Sequence, residues 1–510
     1  MPLTASGFQL GPWHGAVRYD IPVEEVAANE LSDMDNTRVG TGGQVEQRPG
    51  TDQYKDLAAV NGGATLTMAA QFNSDATTEH VFIVAGNAIF DFSSSVWTDR
   101  TGGLTVTAGD DHTFEAVDAN GVLVATNGVD TNAWKVTGAT NATALDDDAR
   151  FSKGKHVAWF DNRLWIGNVD GATNQVWFSD TAAIETWGAT SFFNFGGIVQ
   201  GLVPTQNGLT VHTSDGIITL YPTGNATAPY NPQRATFRAG IDGRSIIALP
   251  DDLQVMILKD GVYEWRGGST LDKVSGALDG GYWPRLDSSR LFKSFAVRFP
   301  RENEIWFFLP FKGDNASQTK MNNIIVYNYE KRTEINGRNV GTWHGPYSGF
   351  DRNCAALIDE KVHAGGFAGF LFDHDTDDKS DDGVNIAATF TTGAPAPLGA
   401  DVKVRWLNQR TYFDATGVYE MDVFQEDADI TGTSERLSLD GVGFTLDVDL
   451  LGTELRGVSQ QSMDLNLQDY SPQCSLRYEL GVAGQEFTIR RSIIRYKPLG
   501  RFTKPKPVDV

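Results

Sequence analysis

The sequence predicts an all-β chain: a β-propeller of six blades, alternatively seven, with a β-sandwich or barrel platform beside it. Three observations predict this fold: dense glycine punctuation, a hairpin that recurs along the chain, and a tryptophan that recurs with the hairpin. The 510 residues include 54 glycines, many in NG, DG, GG and TG pairs, a density that long helices do not tolerate. Apolar residues at helical spacing are confined to short stretches. The chief candidate runs from Val23 to Leu31, with Glu24, Glu25 and Glu30 along one side.

The recurring unit is a pair of β-rich runs joined by a tight turn. It reads HVFIVAGNAIFDF at 80–92, GVLVATNGVDTNAWKV at 121–136, HVAWFDNRLWIGNV at 156–169 and GLTVHTSDGIITLY at 208–221. It continues as DLQVMILKDGVYEW at 252–265 and AVRFPRENEIWFFL at 296–309, with a weaker seventh instance, AALIDEKVHAGGFAGFLF, at 355–372. Gly, Asn and Asp at the turns supply the positive φ that a two-residue hairpin needs. The turn markers Gly86, Gly128, Asn162, Gly216, Gly261, Asn303 and Glu360 are about 46 residues apart on average, within the roughly 40–50 residues of a four-stranded blade. Separate hairpins of β-sandwiches are the alternative reading. Trp97, Trp134, Trp165, Trp187, Trp265, Trp306 and Trp343 fall at or just after hairpin ends, where a propeller packs bulky side chains between adjacent sheets. A platform for stacking carbohydrate would use the same residues.

These patterns divide the chain into three parts: residues 1–60, which pack on the platform or close the propeller; 61–384, the propeller; and 385–510, the platform. GAPAPLGA at 393–400 reads as a linker. After it, DVKVRW at 401–406, YEMDVF at 419–424, FTLDVDL at 444–450, CSLRYEL at 474–480 and FTIRRSIIRY at 487–496 alternate apolar with polar residues, as half-buried antiparallel strands do.

The chemistry-bearing patterns are sparse. No Walker A loop, G-x-S-x-G elbow or H-E-x-x-H motif occurs, and no two of the eight histidines stand at helical metal-ligand spacing. The sequence therefore offers no catalytic set and no cofactor-binding set. Its one metal-like stretch is DHDTDDKSDDG at 373–383, where Asp373, Asp375 and Asp377 alternate as in a calcium loop. Asp378 stands where that loop needs glycine, and Val384 where it needs glutamate; a solvated acidic loop is the competing reading. Cys354 and Cys474 are too few and too far apart for a disulfide framework or a thiolate metal site. The net charge of −23 argues against a protein that wraps nucleic acid. The opening MPLTASGFQLGPWHG has no basic region followed by an apolar one, and no run of 18 apolar residues occurs, so a cytoplasmic product without membrane insertion is expected.

The segment NTRVGTGGQVEQRPGTDQY at 36–54 resembles the N-terminal signature of bacteriophage tail nozzle and hub proteins, through Asn36, Gly43, Arg48, Pro49 and Gly50. DGVYEWRG at 260–267, NNIIVYNYEKRT at 322–333 and Trp343 are similar to propeller strands of the same family. The resemblance implies a structural, non-enzymatic virion protein that forms a ring, a homo-hexamer, around the DNA exit channel. It would join an adaptor or tail-tube protein to fibres or spikes and retain packaged DNA until ejection, while duplex DNA passes without specific binding. No cofactor is implied. A propeller that binds or degrades cell-surface glycans is the alternative. Asn36, Arg48, Pro49 and Gly50 are the first interface candidates: Pro49 fixes φ, Gly50 permits a turn, and Arg48 can pair with a carboxylate or cap a carbonyl. The second set is the basic C-terminal stretch, with Arg490, Arg491, Arg495, Lys497 and Arg501, expected to dock on an acidic neighbour.

Overall fold

The computed structural model describes residues 6–501 except 16, 56, 74–78, 94–95, 146–150, 313–319, 336–337, 377, 395, 399–401, 415–419, 428–429, 439–459, 467–469, 472 and 481–486. Helix among them is limited to one turn, Ala58–Asn61, and short 3-10 turns. Val23 to Leu31 is not a helix. It runs as turns into the strand Leu31–Asp35, with Glu30 turned back to pair with Arg18 and to accept from the Ala27 amide.

The propeller has seven blades, not six. Six of them are antiparallel four-stranded sheets made from consecutive chain, with innermost strands Leu66–Asn73, Glu115–Asp118, His156–Phe160, Val199–Pro204, Ile246–Ala248 and Phe295–Phe299. The seventh has Cys354–Ile358, Lys361–Gly365 and Leu371–Thr376 from local chain, and its fourth strand is Gly50–Gln53. The seven innermost strands pack one against the next, and Cys354–Ile358 returns to Leu66–Asn73, so the ring is closed. The weaker seventh hairpin is thus a blade. Its signal is incomplete because the missing strand lies some 300 residues upstream. The uneven marker spacing has a simple cause as well. Asn162, Asn303 and Glu360 mark the turn after a blade's first strand, whereas Gly86, Gly216 and Gly261 mark the turn after its second.

Seven apolar clusters fill the seven seams between blades, and each contains one of the recurrent tryptophans: Trp134, Trp187, Trp165, Trp265, Trp343, Trp306 and Trp97 in order around the ring. All seven are less than 9% exposed, so they pack blades together and present no stacking face to a glycan. Blade faces are apolar on both sides, and only a neighbouring blade covers them.

Ser380–Asp381 and Val384–Asn385 extend the seventh blade's sheet beyond Gly50–Gln53, the first by a parallel pairing, and the other strands form two antiparallel sheets packed as a sandwich. One contains Thr37–Val39, Val45–Gln47, Thr488–Arg501, Val402–Asp414 and Gln460–Asn466, with Ser6–Leu10 and Tyr470–Ser471 on its flanks. The other contains Leu31–Asp35, Ala388–Thr392, Ser475–Leu480, Glu420–Asp427 and Ile430–Ser438. The 444–450 run lies outside the described residues. Tyr478 of the second sheet stacks on Phe390 at 4.6 Å, and its hydroxyl shares hydrogen bonds with Ser492 at 2.6 Å and Gln409 at 2.5 Å in the first. The sandwich rests on the outer strand of the sixth blade, Arg338–Tyr347, where Val39 donates its amide to His344 Nδ1 at 3.3 Å. One apolar cluster runs without a break from the fifth and sixth blades into the sandwich.

Candidate functional site

The chain from residue 6 to 53 gives strands to both sandwich sheets and to the seventh blade, and the motif at 36–50 lies where these bodies meet. Asn36 has φ of 52°, a left-handed conformation that asparagine tolerates better than most residues. Its side chain donates to the Ala387 carbonyl at 2.8 Å and to Ser348 Oγ at 3.1 Å, while its Oδ1 accepts from the Ser348 amide at 2.9 Å and from Arg48 Nε at 2.8 Å. Arg48, 2% exposed, also donates to the Pro49 and Ser348 carbonyls and makes a two-point pair with Asp381, at 2.9 and 2.5 Å. Gly50 is required by close approach, since a Cβ there would stand 2.1 Å from the Ser380 carbonyl oxygen. All four residues are buried. They join the sixth blade, the seventh blade and the sandwich within one chain, an internal joint where an interface was expected.

Asp373 and Asp375 lie on a strand, Leu371–Thr376, not in a loop. Asp373 takes Lys361 at 3.3 Å, and Asp375, at φ of 64° where the pairing register shifts, lies 3.6 Å from Arg38. Asp377 lies outside the described residues. The two described carboxylates are committed to different cations, and no group of three metal-binding side chains forms among the described residues. The described residues of this stretch build no calcium loop; its Asp381 is the counter-ion of Arg48.

The basic stretch is no tail as far as Arg501. It is the 14-residue strand Thr488–Arg501, paired along its length with Val402–Asp414 and on its other side with Ser6–Leu10 and Val45–Gln47. Arg490 makes a two-point pair with Asp414 at 2.6 and 2.7 Å, and the Arg491 guanidinium lies over the Tyr412 ring at 4.5 Å. Arg495 and Lys497 alternate with buried Ile494 and Tyr496 and are exposed. Arg405, the register partner of Lys497, is exposed beside them. Arg501 closes the strand opposite Val402.

At the propeller axis, acidic side chains meet basic ones. Glu115 lies 2.9 Å from His156 Nδ1; Asp242 accepts from Lys155 at 2.8 Å and from Arg244 at 3.3 Å. Burial alone would raise the Asp242 carboxyl, but the Arg244, Lys155 and His156 charges hold it below the usual range. The cavity beside them, about 270 Å³, is bordered by Arg244 and Cys354. Burial pushes the Cys354 thiol up to about 12, so it stays protonated near neutrality and is a poor nucleophile. The space is far too small for duplex DNA.

No protein-family profile matches the chain, and no curated protein matches it. Among solved structures, it is similar to the extracellular domain of the putative one-component system BT4673 of Bacteroides thetaiotaomicron, at 10% identity and a TM-score of 0.43 over 91% of this chain and 62% of that one. It is also similar to virginiamycin B lyase of Staphylococcus aureus, at 11% identity and 0.40 over 63% and 98%, and to BamB of Moraxella catarrhalis, at 13% and 0.38 over 74% and 98%.

Proposed function

We propose that this chain is a structural subunit of a bacteriophage tail, of the nozzle or hub class, and that several copies close into a ring around the path of the exiting DNA. The observation that carries the reading is the exposed basic row Arg405, Arg495 and Lys497 on a body whose net charge is −23. A cationic strip on an acidic body favours an acidic partner, such as a neighbouring copy, and orients the encounter. Support also comes from the resemblance at Asn36 and Arg48 to Gly50, whose hydrogen bonds hold propeller and sandwich together as one stiff unit. DNA would pass between copies and not through a propeller axis, along acidic walls that do not retain phosphate.

The test is sedimentation velocity together with two-dimensional class averages, for the natural chain and for an R405E/R495E/K497E variant. The natural chain is expected to form closed rings, six copies by the resemblance, that weaken as salt rises. The variant is expected to keep its unfolding midpoint and remain monomeric. A variant that forms rings as the natural chain does would remove the basic row from the account. A natural chain that stays monomeric and cleaves capsular glycan would overturn the ring.

A further inference from the structure

Arg352 lies in the segment that carries the chain from the sixth blade into the seventh, and it is 4% exposed. Its Nε donates to His374 Nε2 at 3.2 Å and its Nη1 to the Asp351 carbonyl at 3.2 Å. Nη2 makes no hydrogen bond among the described residues, so three of the five guanidinium N–H donors are unused. No carboxylate among the described residues pairs with it, because Asp381, which faces the same space, is taken by Arg48 at two points. The guanidinium carbon lies 4.0 Å from the centre of the Phe372 ring and 4.9 Å from that of Phe350. His374 is boxed by Trp306, Phe308 and Phe350. Burial, then the Arg352 and Arg48 charges, hold it far below the usual imidazole range, so it is a neutral acceptor that fixes the plane of the guanidinium.

A buried cation with no carboxylate in contact is unfavourable, and burial brings Arg352 down to about 9 against the pull of the Asp381 and Asp351 charges. It borders a cavity of about 460 Å³ whose other polar walls include Asn36, Thr51, Ser348 and Asn385, a volume within the range of small-ligand sites. Asp35, Asp381 and Asp382 also line this cavity. Arg48 lines it too and is taken up by Asp381, so Arg352 is left to meet one negative charge, and Asp35 and Asp382 repel a second.

We propose that this cavity is a binding site for a single carboxylate group, held by the free edge of the Arg352 guanidinium. Planar two-point pairing is the geometry that a guanidinium offers a carboxylate. The carboxylate comes either from a small acid or from an acidic side chain of another polypeptide. The site stands independently of the ring, since every residue it uses belongs to one chain.

Calorimetric titration of the full chain at pH 8 and constant ionic strength, where phosphate is chiefly a dianion, tests it with acetate, N-acetylglycine, a capped Gly-Glu-Gly peptide and phosphate as probes. Saturable binding of at least one carboxylate is expected, with no competition from phosphate. Acetate binding would identify the small-acid source, and binding of the peptide alone the side-chain source. Arg352→Met keeps an unbranched stem between the two phenylalanines and should weaken binding by about tenfold or more, as loss of a charge-assisted pair does. Asn385→Asp changes an exposed residue of the wall and should weaken binding by placing a further negative charge there, which keeps the question open to test if Arg352→Met does not fold. Absence of saturable carboxylate binding, phosphate binding as tightly as carboxylate, or unchanged affinity in either variant would overturn the site.

Discussion

Arg48 makes five hydrogen bonds inside the chain, two of them to Asp381, whose side chain is 18% exposed. Methionine at this position would fill much of the same volume, take the Arg48 donor from the Ser348 carbonyl, and leave the Asp381 charge with the Thr51 hydroxyl and no cation in contact. Removing one partner of a buried pair costs about 3–5 kcal/mol, and Arg48→Met is expected to lose stability on that scale in urea unfolding. Asp381→Asn added to Arg48→Met should restore part of the loss, because the uncompensated charge is gone. If the two single losses simply add, the residues are not coupled and the clasp is misassigned. Gly50 belongs to the same clasp for a steric reason, the nearby Ser380 carbonyl. Asn36 belongs to it for a conformational one, its positive φ.

At the scale of elements, the strand Thr488–Arg501 settles how its basic residues are to be read. Its alternation buries Ile494 and Tyr496 and exposes Arg495 and Lys497, so the same segment serves the core with one face and the solvent with the other. Truncation should divide sharply along it. A chain ending at Arg501 keeps every pairing with Val402–Asp414 and is the reference. A chain ending at Tyr496 loses the pairs that Lys497, Pro498, Gly500 and Arg501 make with Arg405, Val404, Lys403 and Val402. At about 0.5–1.5 kcal/mol for each ladder hydrogen bond, it should be a few kcal/mol less stable and prone to aggregate through the uncovered strand edge. Equal midpoints for the two truncations would contradict the pairing.

For the molecule as a whole, buried titratable groups pull stability in opposite directions along the pH scale. Burial brings His212 down to about 4 and His344 to about 3. Both are neutral in the folded chain, and the stability they contribute is present above about 6.5 and lost as pH falls through their folded values. Glu304 behaves the other way. Burial raises its carboxyl from 4.5 to about 7, so the folded chain holds a proton that the unfolded chain has released. The associated stability is full below about 4.5 and lost as pH rises through 7. Glu304→Gln keeps an acceptor for Trp306 Nε1, now 3.0 Å from the carboxylate, and lacks that loss. It should gain about 1–3 kcal/mol relative to the natural chain on going from pH 4.5 to pH 8, measured by urea unfolding at the two pH values. A stability difference that does not change with pH would mean that Glu304 titrates normally.

The sequence by itself determined the parts whose causes are local. Hairpin turns depend on the residues that form them, and β-strand alternation depends on neighbours two apart, so the all-β class, the blade hairpins and the sandwich strands near 401–406, 474–480 and 487–496 were legible. So was the tryptophan that each seam encloses, because a bulky side chain at a blade's face has no cover except the next blade. Tertiary structure alone decided the parts that join distant segments. Gly50–Gln53 completes a blade begun at Cys354, and so raises the count from six to seven. Arg48 meets a carboxylate 333 residues away, which turns a motif with the look of an interface into an internal clasp. Arg352 and His374 had no local signal, and the acidic run around 373–383, read as a solvated loop with calcium as the weaker candidate, holds the counter-ion of an arginine. Which face of a strand meets which partner, and which charge is left unpaired, follows from the packing of whole sheets, and no window of sequence contains both sides of that contact.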